Sequence, residues 1–345
     1  MNAKMQNFPS NNRQLLYKII PLNTPQLVLI EVSSACDLRC KFCAFSSKSA
    51  LEYRNHIVKN MDKDTFTLLL EQLKEFPEKF KRVCFGGMGE VLMNPDLPYM
   101  VKQIKNSGIA NEVTTFTNAI NLTHEMSQGF INGGLDIITI SVNGLNSDDY
   151  ERNCGVRINY DKFVEQIKYL YKNKKNLRMN IKTVDLFINN DSDKEVFLNT
   201  FGDICDFINI ETIAPIHKGV EYHLGDNIKN INHTSKHPGL TAKRQVCPLP
   251  FRRLAISSAG KINFCDQVCG FPYPYNTIDI HEKKLIDLWN GELHKEIMLK
   301  SLRGINEGIT EICNNCGMKH CCSHEEDNLD PYTDELSERI ERILK

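Results

Sequence analysis

Cys36-Asp37-Leu38-Arg39-Cys40-Lys41-Phe42-Cys43 comes shortly after Leu27-Val28-Leu29-Ile30-Glu31-Val32, an aliphatic and β-branched run that reads as a buried strand. Three thiols within eight residues, just past a strand end, form a compact metal-ligand cluster. A cubane of iron and sulfide takes four ligands, usually thiolates. Three cysteines therefore leave one iron without a protein ligand. An open coordination position marks a reactive site, whereas structural sites are closed. A zinc knuckle is the plain alternative for such a cluster, and the aromatic Phe42 and the preceding strand weigh against it.

Outward from this stretch, strand-like and helix-like patterns alternate. Phe66, Leu69, Leu70 and Leu73 keep the spacing of one helical face, with Asp62 or Asp64 as N-cap. Arg82 to Phe85 is a short strand ending in glycines. Leu97, Met100, Val101 and Ile104 mark a helix stopped near Gly108. Strands follow at 112–117 and 136–142, with a helix capped by Thr123 between them. A helix with Phe163, Val164, Ile167 and Leu170, a strand at 177–184, a helix at 193–201 and a strand at 208–213 complete the series. Six such repeats argue for an α/β fold, a parallel sheet covered by helices.

The 345-residue chain has 41% hydrophobic and 25% charged residues, an ordinary globular balance. Its net charge of −1 gives no bulk attraction to nucleic acid or an anionic membrane, and neither is expected as a partner. No apolar run reaches membrane-spanning length, and residues 1–8 lack the apolar core of a secretion signal, so the expected location is cytoplasmic. Thirteen cysteines in a reducing compartment read as metal ligands before disulfides. They cluster near the start and again from Cys247 onward, which suggests two metal centres.

CxxxCxΦC, with Phe42 in the Φ place, resembles the signature of the radical S-adenosylmethionine (SAM) superfamily. That resemblance implies a partial (β/α)6 TIM-like barrel with the cluster at the strand C-terminal ends. Gly86-Gly87-Met88-Gly89-Glu90 resembles the family's Gly-Gly-Glu motif, which makes Gly87, Gly89 and Glu90 candidates for holding the SAM amino group; Val91 stands where a proline is usual. Thr117-Asn118 and Ser141-Val142-Asn143-Gly144 resemble segments that line the SAM ribose and methionine, implicating Asn118, Ser141 and Asn143. Where many relatives carry an arginine for the SAM carboxylate, this chain has Cys154. Arg152 or Arg157 could replace it, since a guanidinium recognises a carboxylate as a fork.

Behind a connection at 220–246 the composition shifts to cysteines and prolines. Cys247, Cys265, Cys313 and Cys316, with Ile286-Asp287-Leu288-Trp289-Asn290-Gly291 between them, resemble the SPASM and twitch domains, which hold additional iron–sulfur clusters. The expected division is a lead-in at 1–25, a radical SAM barrel at 26–225 and a smaller C-terminal SPASM/twitch-type domain at 226–345. Those four cysteines would close one auxiliary cluster, with Cys269, Cys321 or Cys322 able to exchange for the fourth ligand.

The resemblance implies two [4Fe-4S] clusters, SAM, and an electron donor such as flavodoxin or ferredoxin. The first cluster would reduce SAM, and the 5′-deoxyadenosyl radical would take a hydrogen atom from substrate. A 25-residue lead-in has no room for a leader-peptide-binding domain, which tilts the expectation to a small polar molecule, a sugar or nucleotide-sugar. Asp266, next to Cys265, matches an aspartate that takes a proton during alcohol oxidation in related dehydrogenases. Redox-neutral epimerisation with a hydrogen-donating cysteine (Cys84, Cys154 or Cys205), peptide modification, and a non-enzymatic iron–sulfur protein are the alternatives.

Overall fold

The computed structural model describes residues 2–5, 13–43, 46, 57–212, 244–265, 278–303 and 324–343. Nine strands make one sheet: β1 Lys4–Met5, β2 Leu27–Ile30, β3 Phe80–Phe85, β4 Ala110–Thr117, β5 Ile137–Ser141, β6 Arg178–Val184, β7 Phe207–Glu211, β8 Arg253–Ile256 and β9 Ile262–Asn263. Their order is β1-β7-β6-β5-β4-β3-β2-β8-β9. From β2 to β7 each strand bonds its successor in parallel, so every connection crosses over and the series is an open, partial barrel.

Ten helices are described: α1 Leu16–Ile19, α2 Lys63–Leu73, α3 Leu97–Ser107, α4 His124–Gly133, α5 Ser147–Cys154, α6 Tyr160–Asn173, α7 Asp191–Phe201, α8 Leu285–Trp289, α9 Glu292–Leu302 and α10 Thr333–Ile343. Their starts follow side-chain chemistry. Asp62 Oδ1 accepts from Thr65 N at 2.8 Å to open α2, and Thr123 Oγ1 accepts from Met126 N at 3.1 Å to open α4. Gly108 closes α3 at φ 69°, a left-handed turn that suits a residue without Cβ. Phe66, Leu69, Leu70 and Leu73 are all buried, as their spacing predicts.

The two faces of the sheet differ. Val28, Ile30, Val83, Phe85, Val113, Ile138, Ile140, Met179, Ile181 and Ile208 belong to the main core with the helices. The alternate residues of the same strands point to the opposite side of the sheet, away from the main core. There Leu29, Cys84 and Ala255 form a separate small cluster, and farther along stand Phe116, Thr139, Asn180, Lys182, Asn209 and Glu211.

Three features add to the sequence reading. The lead-in contributes β1, which bonds β7, and α1, whose Leu16 packs with Phe251, Met298, Leu336 and Ile340. Residues 147–154, assigned no element from the sequence, form α5. Arg253–Ile256 of the C-terminal region pairs in parallel with β2, so the strands between Cys247 and Cys265 continue the sheet that leads into Cys36.

Candidate functional site

The cysteine stretch leaves the C-terminal end of β2 and is pinned by the neighbouring strand ends. Backbone bonds run from Cys43 N to Cys40 O at 2.9 Å and from Glu90 N to Ala35 O at 2.7 Å. Asp37 accepts from Asn118 Nδ2 at 2.7 Å and from Asn121 Nδ2 at 2.9 Å, tying the loop to the end of β4. Asn143 Nδ2, just past β5, lies 3.5 Å from Cys40 Sγ. Phe42 packs edge-on against Phe187 beyond β6, ring centroids 5.6 Å apart. The ends of β3, β4, β5 and β6 thus converge on residues 35–43.

Cys40 is buried, while Cys36 and Cys43 are half-buried. Burial pushes the Cys36 thiol up, and the Cys154 contact followed by burial does the same for Cys40. Loading a metal there must release these protons. Among the described residues no three Cys, His, Asp or Glu side chains converge on a single-ion site. A cubane spreads its thiolates over separate irons, and a soft all-thiol donor set suits it. In donor chemistry the three thiols fit such a cluster.

The glycine turn after β3 has a packing reason of its own. A Cβ on Gly89 would stand 2.3 Å from Ser33 O and 2.6 Å from Ala35 O, the backbone leading into Cys36. Gly87 has φ 137°, and a Cβ there would stand 2.8 Å from Glu31 Cβ. Glu31 is buried and accepts from Met88 N at 3.0 Å through Oε2. Glu90 is buried too: Oε1 accepts from Leu92 N at 2.9 Å and Thr117 Oγ1 at 2.5 Å, and Oε2 accepts from Asn118 N at 2.7 Å. Burial outweighs these bonds and pushes its carboxyl up to about 7.

Of the other candidates, Ser141 is half-buried at the end of β5, beside Lys182 in register. Arg152 is exposed and paired with Asp149, and Arg157 is exposed and paired with Asp148 and Glu151. Cys247 is half-buried and Cys265 is buried at the end of β9. Asp266, Cys269, Cys313, Cys316, Cys321 and Cys322 lie outside the described residues.

Sequence reasoning missed the inner face of the sheet. Phe116 is 45% exposed there, with Lys182 Nζ 5.8 Å from its ring centroid and 2.7 Å from Glu211 Oε2. Asn180 donates to Thr139 Oγ1 at 3.3 Å, yet its own Oδ1 is buried without a partner, as is Asn209 Nδ2. The signal was present in strands whose alternate residues are polar in an otherwise aliphatic pattern.

Residues 30–200 match the family described as the radical SAM superfamily, and residues 247–317 match an iron–sulfur cluster-binding domain. A tungsten-containing aldehyde ferredoxin oxidoreductase cofactor-modifying protein of Pyrococcus furiosus is 32% identical over 119 residues, which is 34% of this chain and 30% of that relative's length. The structure of anSMEcpe with bound AdoMet has a TM-score of 0.59 at 14% identity, covering 92% of this chain and 100% of the other. BtrN in complex with AdoMet and 2-DOIA has a TM-score of 0.50 at 17% identity, covering 84% and 92%. At these identities the two structures establish the fold.

Proposed function

Because the chain belongs to the radical SAM superfamily and carries an iron–sulfur cluster-binding domain behind its barrel, we propose that it oxidises an alcohol of a small polar substrate, a sugar or nucleotide-sugar. Bound SAM and two [4Fe-4S] clusters, reduced by a donor such as flavodoxin or ferredoxin, would supply the hydrogen-atom abstraction and accept an electron. Cys36, Cys40 and Cys43 would hold the first cluster; Cys247, Cys265, Cys313 and Cys316 would hold the second.

The observation that carries the reading is the convergence of strand-end polar groups on the cysteine loop. Asn118 and Asn143 reach it directly, and Glu90 holds the end of β4 beneath it. These residues, with Phe42, Gly87, Gly89, Ser141 and Arg152, are the proposed surroundings of SAM. The sheet face opposite the main core supports a small hydroxylated substrate. Phe116 offers an exposed ring to stack on, with the Lys182–Glu211 pair beside it. Asp266 would take the proton that a substrate radical makes acidic.

Epimerisation is the second reading, favoured by Cys84. Its thiol is on that same face, 3.8 Å from where a Cβ on Gly86 would stand, and burial pushes it up so that it keeps its hydrogen. Cys154 and Cys205 do not share that face: the first contacts Cys40, the second Phe201 O.

The test is anaerobic turnover with SAM, reductant and a panel of nucleotide-sugars. Oxidation lowers product mass by two hydrogens, and Asp266→Asn should keep SAM cleavage while losing most oxidised product. A product whose mass is unchanged in H2O and which gains one deuterium when the reaction is run in D2O would favour epimerisation instead.

A further inference from the structure

Cys154 stands where an arginine was sought, and a thiol cannot clasp a carboxylate as a guanidinium does. Its Sγ lies 3.4 Å from Cys40 Sγ, and both side chains are buried. Backbone bonds on either side of Cys40 hold this contact. Arg39 N donates to Cys154 O at 2.8 Å and Lys41 N to Asn153 O at 3.0 Å, so the cysteine loop is clamped against the last turn of α5. Gly155 ends that helix in the left-handed conformation, φ 68°, where a Cβ would lie 3.6 Å from Arg39 Cβ. Asn143 Nδ2 approaches the same sulfur at 3.5 Å, and Asn143 N is itself bonded to Tyr150 OH at 3.2 Å.

The Sγ–Sγ separation far exceeds the roughly 2.05 Å of a disulfide and suits an S–H···S hydrogen bond, donated by Cys40 as a free thiol and by Cys154 once Cys40 is a ligand thiolate with no hydrogen to give. Hydrogen bonds to the sulfurs of an iron–sulfur cluster stabilise its more negative, reduced state, and so raise its reduction potential. A donor fixed on a ligand thiolate is therefore a means of setting how readily the first cluster takes an electron.

We propose that Cys154 is a positioning residue that donates its S–H to the Cys40 sulfur and, together with Asn143, raises the reduction potential of the first cluster. The proposal rests on the reading that Cys40 ligates that cluster.

The experiment is EPR-monitored potentiometry on the anaerobically reconstituted full chain, taking as the first cluster the signal that SAM alters. Cys154→Ala should move that cluster's midpoint negative, lowering its reduced-to-oxidised ratio at fixed potential by about tenfold, equivalent to about 59 mV for one electron. Cys154→Ser, which keeps a hydroxyl donor, should restore most of the difference, and the auxiliary signal should not move. Proton ENDOR of the wild-type reduced cluster supplies a second measurement: an exchangeable coupling lost in D2O and in Cys154→Ala. Unchanged potentials in both variants, equal shifts for Ala and Ser, or no exchangeable coupling in wild type would overturn the proposal. A wild-type protein with no SAM-sensitive signal would overturn the ligand reading itself.

Discussion

Glu90 illustrates how a single residue can serve the site from underneath. Its two oxygens accept from Leu92 N, Thr117 Oγ1 and Asn118 N, joining the turn after β3 to the end of β4. Glutamine at this position would aim an NH2 group at one of those donors, leaving it unsatisfied at a cost of about 1–3 kcal/mol. Urea unfolding of Glu90→Gln should show that loss. The carboxyl also has a pH signature. Its folded pKa is raised from 4.5 to about 7, so the folded state holds an extra proton across that window. Stability from this group is greatest below 4.5 and falls as pH rises through about 7. Glu90→Gln should remove that component of the pH profile. The cysteine spacing and the glycine turn were legible because their partners are close in sequence. The Cys40–Cys154 contact spans 114 residues and the Asp37–Asn118 bond 81, distances at which a one-dimensional pattern carries no pairing information.

Among the elements, periodicity placed the long helices and strands because each buries one continuous face. α2 shows the parts: an Asp62 cap, a buried stripe and exposed Lys63, Asp64, Thr67 and Glu71 between. Asp62→Ala should destabilise the protein by about 1 kcal/mol in a chemical denaturation experiment at neutral pH. Hydrogen bonds from the Thr65 backbone and hydroxyl lower its carboxyl from 3.8 to about 2. The cap's charge-dependent stabilisation is thus complete above 3.8 and is lost as pH falls through about 2, so wild type and variant should converge under acid. α5 escaped notice because Asp148, Asp149, Glu151, Arg152 and Asn153 give it a polar sequence. Its buried residues are Tyr150 and Cys154, one turn apart. β1 escaped because two residues, Lys4 and Met5, are too short to carry a period.

The whole molecule is organised by one sheet with two differently used faces. The helix-covered face holds the core, and its aliphatic alternation is what made six β/α repeats readable. The other face mixes Phe116, Lys182, Glu211, Asn180 and Cys84, a composition whose meaning emerges only when five strands stand side by side. β8 then extends this sheet past β2, setting the C-terminal unit with Cys247 and Cys265 on the barrel's own framework. In the described residues, no helix is long and apolar enough to cross a membrane.

The central claim is that Cys36, Cys40 and Cys43 hold an open cluster that cleaves SAM, separate from the auxiliary centre. Its most direct test combines iron analysis with chromatographic detection of 5′-deoxyadenosine, comparing the wild-type chain with the variant in which all three cysteines are alanine. Wild type should hold about eight irons, four per cubane, and form 5′-deoxyadenosine on reduction. The variant should retain about four irons, in the auxiliary cluster, and form none. Undiminished 5′-deoxyadenosine from the triple variant would contradict the account.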